Sequence, residues 1–370
     1  SFLKKTLAFG SLAVGGGYVF SACTTVAHRA DFNSFELSQQ GTNQLDIAGN
    51  SILHYASLAP SGHNSQPWYV KIHSKNEWIV GVDPQRRLPA VDPDNREAML
   101  SIGAFVENLS VAAGAFGQRA ELEVLAQNSF EPDIVKVILR KTKPVDYPLQ
   151  RLRNRMTVKH GYLAAEIKNE DLRDLSTPFN GGLFYFPRGS EHARCIEQGA
   201  VENFRRQVYR DAAQLETVRW MRLNGKDAAR CRDGLTVEGM EIRGFKGWFV
   251  RNFFDPEDFL KSSFRKQSID HTAELARQGG GWFVITSQGR TVADLIDTGR
   301  KFERMALAAR ERNIAVQPMT QYLEEKAGLK QIAAHHEAGV IPQFILRVGY
   351  INKYPDPVSL RRPVKWFVIS

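Results

Sequence analysis

Ten contiguous residues, Ala59-Pro60-Ser61-Gly62-His63-Asn64-Ser65-Gln66-Pro67-Trp68, gather the polar side chains best placed to do chemistry in this 370-residue chain. An apolar, helix-like run from Ile52 to Leu58 stops at Pro60, and a second proline, Pro67, hands over to Trp68-Tyr69-Val70-Lys71-Ile72, which alternates as a strand does. The polar cluster is therefore expected to be a helix-to-strand loop. Such a loop sets Ser61, His63, Asn64 and Gln66 beside exposed backbone N–H groups, an arrangement that suits a large, flat ligand with polar edges. Trp68 is either the apolar wall of that site or a core residue. The competing reading of the whole stretch is an N-capping loop next to a core tryptophan.

The same ten residues resemble the Ala-Pro-Ser-x-x-Asn-x-Gln-Pro-Trp signature of the FMN-dependent nitroreductase family, in which this loop contacts the flavin. A second stretch agrees with it: Leu346-Arg347-Val348-Gly349-Tyr350, a proline-rich spacer, then Arg361-Arg362-Pro363-Val364. It is similar to the closing strand and terminal Arg-x-Pro segment of that family, where an arginine holds the flavin phosphate. The resemblance implies FMN as cofactor, with Ser61, His63, Asn64, Gln66 and Pro67 in the loop around it and Trp68 stacked nearby or bracing the loop. Arg361 and Arg362 would present planar guanidinium forks to the phosphate. No side chain is expected to serve as a catalytic acid or base, because a flavin ring carries the redox chemistry itself. One departure stands out: ordinary members open with an Arg-x-Ser-x-Arg-like segment, whereas Ile47 to Tyr55 holds no arginine. A further phosphate donor is expected elsewhere.

Composition fits an ordinary globular chain, 43% hydrophobic and 24% charged. The formal charge of +9 is scattered among acids, with short clusters at Arg151, Arg153, Arg155 and at Arg361-Arg362, and no nucleic-acid motif accompanies it. Three cysteines, Cys23, Cys195 and Cys231, are too few and too dispersed for a disulfide framework or a zinc site. His335 and His336 are adjacent, so they lack the i, i+4 spacing of a helical metal-ligand pair.

The elements that must position the loop are legible around it. Trp68–Ile72 and Trp78–Val82 read as a hairpin, followed by a loop to Asn95 and a helix from about Arg96 to Phe116. Glu121–Val124, Ile134–Leu139, Leu183–Phe186 and Phe344–Val348 read as strands, and His192–Leu223 as long helical patterning. Leu295 to Asn313 repeats the first helix: aligning Gly103 with Gly299 superposes Glu107 on Glu303, Leu109 on Met305 and Ala112-Ala113 on Ala308-Ala309. An aromatic strand precedes each helix. This points to a distant internal duplication, against which stands the chance agreement of two amphipathic helices.

The expected fold is α/β (α+β), with antiparallel-rich sheets, packed helices and two pseudo-repeated halves in one chain. It resembles the Acg-like branch of the nitroreductases, fused pseudo-dimers that keep one flavin site under a lid. Residues 51–370 would form this domain, with the first half at about 51–165, the lid at about 190–264 and the second half at about 265–370. The lid region holds Phe245, Trp248, Phe249, Phe253 and Phe254, which read equally as an aromatic helix-turn-helix packed on the core. Residues 1–27 read as a signal or membrane anchor, because Lys4-Lys5 precede a charge-free run from Thr6 to Ala27. Ser1-Phe2-Leu3-Lys4-Lys5 resembles the downstream part of a twin-arginine export motif, and residues 28–50 read as a linker. The resulting expectation is an oxidoreductase on the extracytoplasmic (periplasmic) side of a membrane. It would pass electrons from NAD(P)H or another donor through FMN to a nitroaromatic, quinone or similar acceptor. The alternatives are a flavin-sequestering protein or an accessory subunit of a membrane protein complex.

Overall fold

The computed structural model describes residue 29, residues 45–335 and residues 341–369. The expected anchor segment, and the expected linker apart from Arg29 and residues 45–50, lie outside the described residues. Helix α1 (Ile47–Ala56) begins earlier than the apolar pattern at Ile52 indicates, because Asp46 caps it: the carboxylate accepts from the Gly49 N–H at 2.8 Å. The first turn carries no apolar periodicity, so only the cap announces it. Strands β1 (Trp68–Ser74) and β2 (Glu77–Val82) form the expected hairpin, with Val70 opposite Val80. Helix α2 (Arg96–Ala115) follows, then β3 (Gln118–Val124) and β4 (Asp133–Lys141).

After α3 (Gln150–Asn154) and α4 (Asn169–Ser176) comes β5 (Leu183–Pro187), then α5 (Glu191–Tyr209) and α6 (Asp211–Arg219). The long helix expected over 192–223 is thus two. It breaks at Arg210, whose backbone turns extended (φ −89°, ψ 103°) while its guanidinium pairs with Glu325 at 2.6 Å and donates to Ala90 O. A small parallel pair, β6 (Met221–Arg222) and β7 (Leu235–Thr236), encloses α7 (Gly225–Cys231), and α8 (Gly244–Phe253) and α9 (Ser262–Ala276) close the insertion. The second half continues with β8 (Gly281–Ser287), α10 (Val292–Glu311), β9 (Ile314–Pro318), α11 (Gln321–Glu324), α12 (Lys326–His335), β10 (Ile341–Tyr350) and β11 (Val368–Ile369).

Besides the β6–β7 pair, the described residues form two larger sheets, in the orders β11-β1-β2-β4-β3 and β5-β8-β10-β9. The fold is α/β with mostly antiparallel pairing, and the C-terminal strand crosses over to pair parallel with β1 of the first half. Between the sheets the two long helices α2 and α10 pack on each other, and their crossing falls on the two glycines that the internal alignment superposes. A β-carbon on Gly103 would lie 2.3 Å from Ile296 O, and one on Gly299 2.1 Å from Leu100 O. Backbone meets backbone there. The acids that follow each glycine by four residues are handled differently. Glu107 takes Arg300 and Arg304 from the partner helix, whereas Glu303 is fully buried against Arg155.

The crossing gives a direct test. Gly299→Ala forces the helices apart and is expected to destabilise the protein by about 1–3 kcal/mol or more, as overpacking does. Gly189→Ala, where a β-carbon meets nothing within 4 Å, should stay within ~0.5 kcal/mol of wild type. Urea denaturation reads both, and equal midpoints for the two variants would refute the close crossing.

Candidate functional site

The loop between α1 and β1 is held in a conformation its residue types disfavour. The helix ends at Ala56, turns at Leu58 and Ala59 lead into Pro60, a short 3-10 turn spans Gly62–Asn64, and His63, Asn64 and Gln66 all have φ near +50° (50°, 51° and 52°). Non-glycine residues there cost about 1–3 kcal/mol each, asparagine least. Such strain persists only where the surroundings over-determine it. Here Gln66 N–H donates to Ser61 Oγ (2.9 Å), Gln66 Nε2 to Arg232 O (2.9 Å), and Asn64 Nδ2 to Gly234 O (3.2 Å) and Leu360 O (3.3 Å). Gly234 N–H returns a bond to Asn64 O at 3.1 Å. The insertion therefore sits directly on the loop, and Asp233 next to it is clamped between Arg86 (2.8 Å) and Arg222 (2.9 Å).

Adjacent arginines of the C-terminal arm grip the loop from two sides. Arg361 donates to Asn64 Oδ1 (2.9 Å), Leu58 O (3.1 Å) and Ala59 O (3.2 Å). Arg362 donates through Nη2 to Gln66 O (2.7 Å) and Trp68 O (2.6 Å), while its N–H reaches Gln66 Oε1 at 2.8 Å. Both are buried. Their charged surroundings differ: Arg361 faces Arg29, Arg155 and Glu303, and Arg362 faces Arg86, Asp83 and Asp233. Trp68 is fully buried and packs on Phe105 of α2, with ring centroids 4.9 Å apart, so it is a core residue. Gln66 and Pro67 are buried with it, while Ser61, His63 and Asn64 remain half-buried at the loop surface.

His63 Nε2 lies 3.3 Å from Thr217 Oγ1 of α6, and that hydroxyl already donates to Ala213 O at 2.9 Å. The imidazole must then be the donor, with its proton on Nε2. Loss of hydration, with Lys159 adding to it, pushes the His63 pKa down to about 4, so the ring is neutral near pH 7.

The sequence reading missed a buried cluster of arginines behind this loop. Arg29 is buried, and none of its three guanidinium nitrogens has a hydrogen-bond partner among the described residues. Burial, then Arg155 and Arg153, lowers its pKa to about 10, and burial with Arg29 and Arg155 holds Arg361 well below the usual arginine value. Arg155 Nε lies 3.2 Å from Glu303 Oε1, and its Nη2 donates to Leu58 O at 3.3 Å. Arg155 and Arg361 thus face the Glu303 carboxylate, and Arg29 lies beside these two arginines. An unmatched buried positive charge is costly unless an anion completes it. The run Arg151, Arg153, Arg155 was visible in the sequence. Arg29, lying in the expected linker and 126 residues before Arg155, carried no local signal.

No family model matches this sequence. The uncharacterized protein Rv3127 of Mycobacterium tuberculosis is 33% identical over 338 residues, covering 85% of this chain and 90% of that one. The chain belongs to the Rv3127 family. Acg of the same organism, named as a candidate NAD(P)H nitroreductase, is 24% identical over 341 residues, covering 85% of this chain and 93% of Acg. Among solved structures, a candidate nitroreductase from Anabaena variabilis matches 85% of this chain and 91% of its own at 11% identity, with a TM-score of 0.43.

In this member of the Rv3127 family, two carboxyl groups also meet under the loop. A β-carbon placed on Gly62 would come 3.3 Å from Glu97 Oε2. Glu97, in the first turn of α2, accepts from Arg96 Nη2 at 2.9 Å and meets Glu324 from α11. Glu324 in turn accepts from Thr320 Oγ1 (2.9 Å) and from Gln207 Nε2. Burial first, and Glu324 second, push the Glu97 pKa up to about 8, and burial raises Glu324 as well. The pair is a shared-proton contact between the two halves.

A folded-state pKa near 8 has a definite sign. Between about 4.5 and 8 the native state keeps a proton that the unfolded chain has released, so stability from this group falls as pH rises through that interval. Glu97→Gln keeps the neutral shape and should flatten the pH dependence, becoming the more stable form at pH 8. Urea midpoints of both proteins at pH 6.5 and 8 check this. Parallel slopes would show that Glu97 ionises freely in the folded protein.

Proposed function

We propose that this protein is an oxidoreductase of nitroreductase type that holds FMN, takes electrons from NAD(P)H and passes them to a nitroaromatic, quinone or similar small acceptor. The observation that carries the reading is the group Arg29, Arg155 and Arg361, buried around an ion pair of Arg155 with Glu303 and with the guanidinium nitrogens of Arg29 unpartnered among the described residues. A dianionic phosphate supplies what that group lacks, and guanidinium forks match its geometry. The similarity to Acg, named as a candidate NAD(P)H nitroreductase, supports the same activity.

Bound FMN would supply the hydride and electron chemistry. The chain's own residues would do the rest: Arg29, Arg155 and Arg361 would hold the phosphate, while the strained loop would offer neutral polar groups from Ser61, His63 and Asn64. A neutral His63, its Nε2–H turned to Thr217, leaves Nδ1 as an acceptor and adds no charge beside a ring whose electronics depend on nearby charge. Gln66, Pro67, Trp68 and Arg362 would brace these groups from behind. Residues 1–27 would attach the folded, flavin-loaded protein to the extracytoplasmic face of a membrane.

A second reading has its own observation. The insertion closes on the loop through Gly234–Asn64 and Thr217–His63 contacts, which favours a protein that shelters flavin without turning it over. Stopped-flow reduction by NAD(P)H separates the two: rapid bleaching of the flavin band supports the enzyme, and a flavin that stays oxidised supports shelter.

Arg29 offers the sharpest variant, because its unpartnered guanidinium predicts effects of opposite sign. Arg29→Gln removes an uncompensated buried charge and should leave flavin-free protein at least as stable as wild type. Flavin retention should fall about tenfold or more, since charge-assisted bonds are worth roughly 1.5–3 kcal/mol. Undiminished flavin content in this variant would take Arg29 out of the site.

A further inference from the structure

Helix α8 presents apolar residues on two opposite sides. Gly247, Val250 and the C-capping Phe254 face inward, packing with Met221, Leu223 and Val237 into a small separate core. Phe245, Trp248 and Phe253, at i, i+3 and i+8, occupy the other side, and Phe249 at i+4 bridges the two, packing against the small core while touching Phe253. Phe245 is 72% exposed and Phe253 45%. The four rings touch one another: Phe245 stacks on Trp248 at 5.5 Å, Trp248 meets Phe253 at 5.6 Å, and Phe249 meets Phe253 at 4.8 Å. Single exposed apolar residues are ordinary, but a contiguous aromatic ridge marks an interaction site.

We propose that this ridge is a membrane-docking surface that seats in the headgroup region of an anionic bilayer. The residue types are those of an interfacial helix, with Trp and Phe on one side and cations beside them. Arg243 and Lys246 flank the ridge, both solvent-exposed, and the whole chain carries a formal charge of +9. Arg251, the remaining cation of the helix, is bound to Glu238 at 2.6 Å and faces back into the protein. The exposed acids nearby, Asp255 and Glu257, lie beyond the C-terminal end of the helix. Shape points the same way. A raised ridge centred on a side chain as exposed as Phe245 needs a matching groove on any protein partner, whereas the headgroup layer deforms around it. A second copy docked ridge to ridge would also bring the cationic flanks of two chains together. Docking by α8 is separate from any attachment through residues 1–27.

The 370-residue chain provides its own probe, because residues 1–44 contain no tryptophan and Trp248 stands in the ridge. The experiment measures quenching of tryptophan fluorescence by vesicles of brominated phosphatidylglycerol, with brominated phosphatidylcholine as the neutral comparison. Wild type should be quenched by the anionic vesicles, less by the neutral ones, and less as salt rises. Trp248→Phe keeps an aromatic ridge and should lose the quenching. Phe245→Glu/Phe253→Glu, on the exposed side only, should lose it while keeping the wild-type thermal midpoint. Quenching that survives in Trp248→Phe, or is absent from wild type, overturns the proposal. So does a dimer in sedimentation that the double glutamate variant dissociates without any lipid quenching, since the ridge would then belong to a second copy.

Discussion

Buried guanidinium groups hold the loop from Leu58 to Trp68 in place, and the site exists only because they do. Three left-handed residues within four positions cost several kcal/mol on the scale of ~1–3 each. Bonds from charged donors to carbonyls, about 1.5–3 kcal/mol each, are of the size needed to offset that. Arg361 and Arg362 make such bonds from opposite sides, to Leu58, Ala59, Gln66 and Trp68. The constraint couples distant parts of the chain. The C-terminal arm closes the first sheet as β11 and clamps the loop just before doing so. The insertion then finds the Asn64 and Gln66 side chains already presented for bonding to Gly234 and Arg232.

The charge pattern behind the loop depends on the helix crossing. Close approach at Gly103 and Gly299 sets the depth of α10, and with it the position of Glu303 against Arg155. Equivalent acids in the two helices have diverged. Glu107 is matched by two arginines at the edge of the crossing, while Glu303 is outnumbered by Arg155, Arg361 and Arg29 in the interior. The two halves are thus unequal at aligned positions, with one acid matched at the crossing and the other buried among arginines.

Local physics made much of this legible from residues alone. The β1–β2 hairpin, α2 and β10 follow from alternation and helical spacing; the Gly103–Gly299 alignment, read as a sign of duplication, picked out the two positions where the helices cross without indicating that they meet. What escaped was non-local or depended on a single side chain. Asp46 starts α1 by capping where no periodicity marks it, and Arg210 ends α5 through contacts with Ala90 and Glu325 from distant segments. Trp68 could be read as wall or core, and only its packing on Phe105 decides for core. Arg361 and Arg362 look interchangeable in sequence, yet they face different neighbours. Arg29 joins Arg155 across more than a hundred residues, which no window of sequence displays.

The claim on which this account rests is that the buried arginines bind a phosphate. Titrating flavin-free protein with FMN and with riboflavin, which differ by that one group, measures it most directly. The account predicts that FMN binds at least about a hundredfold more tightly, as two or more charge-assisted contacts of roughly 1.5–3 kcal/mol each require. Equal affinities for the two flavins would contradict it.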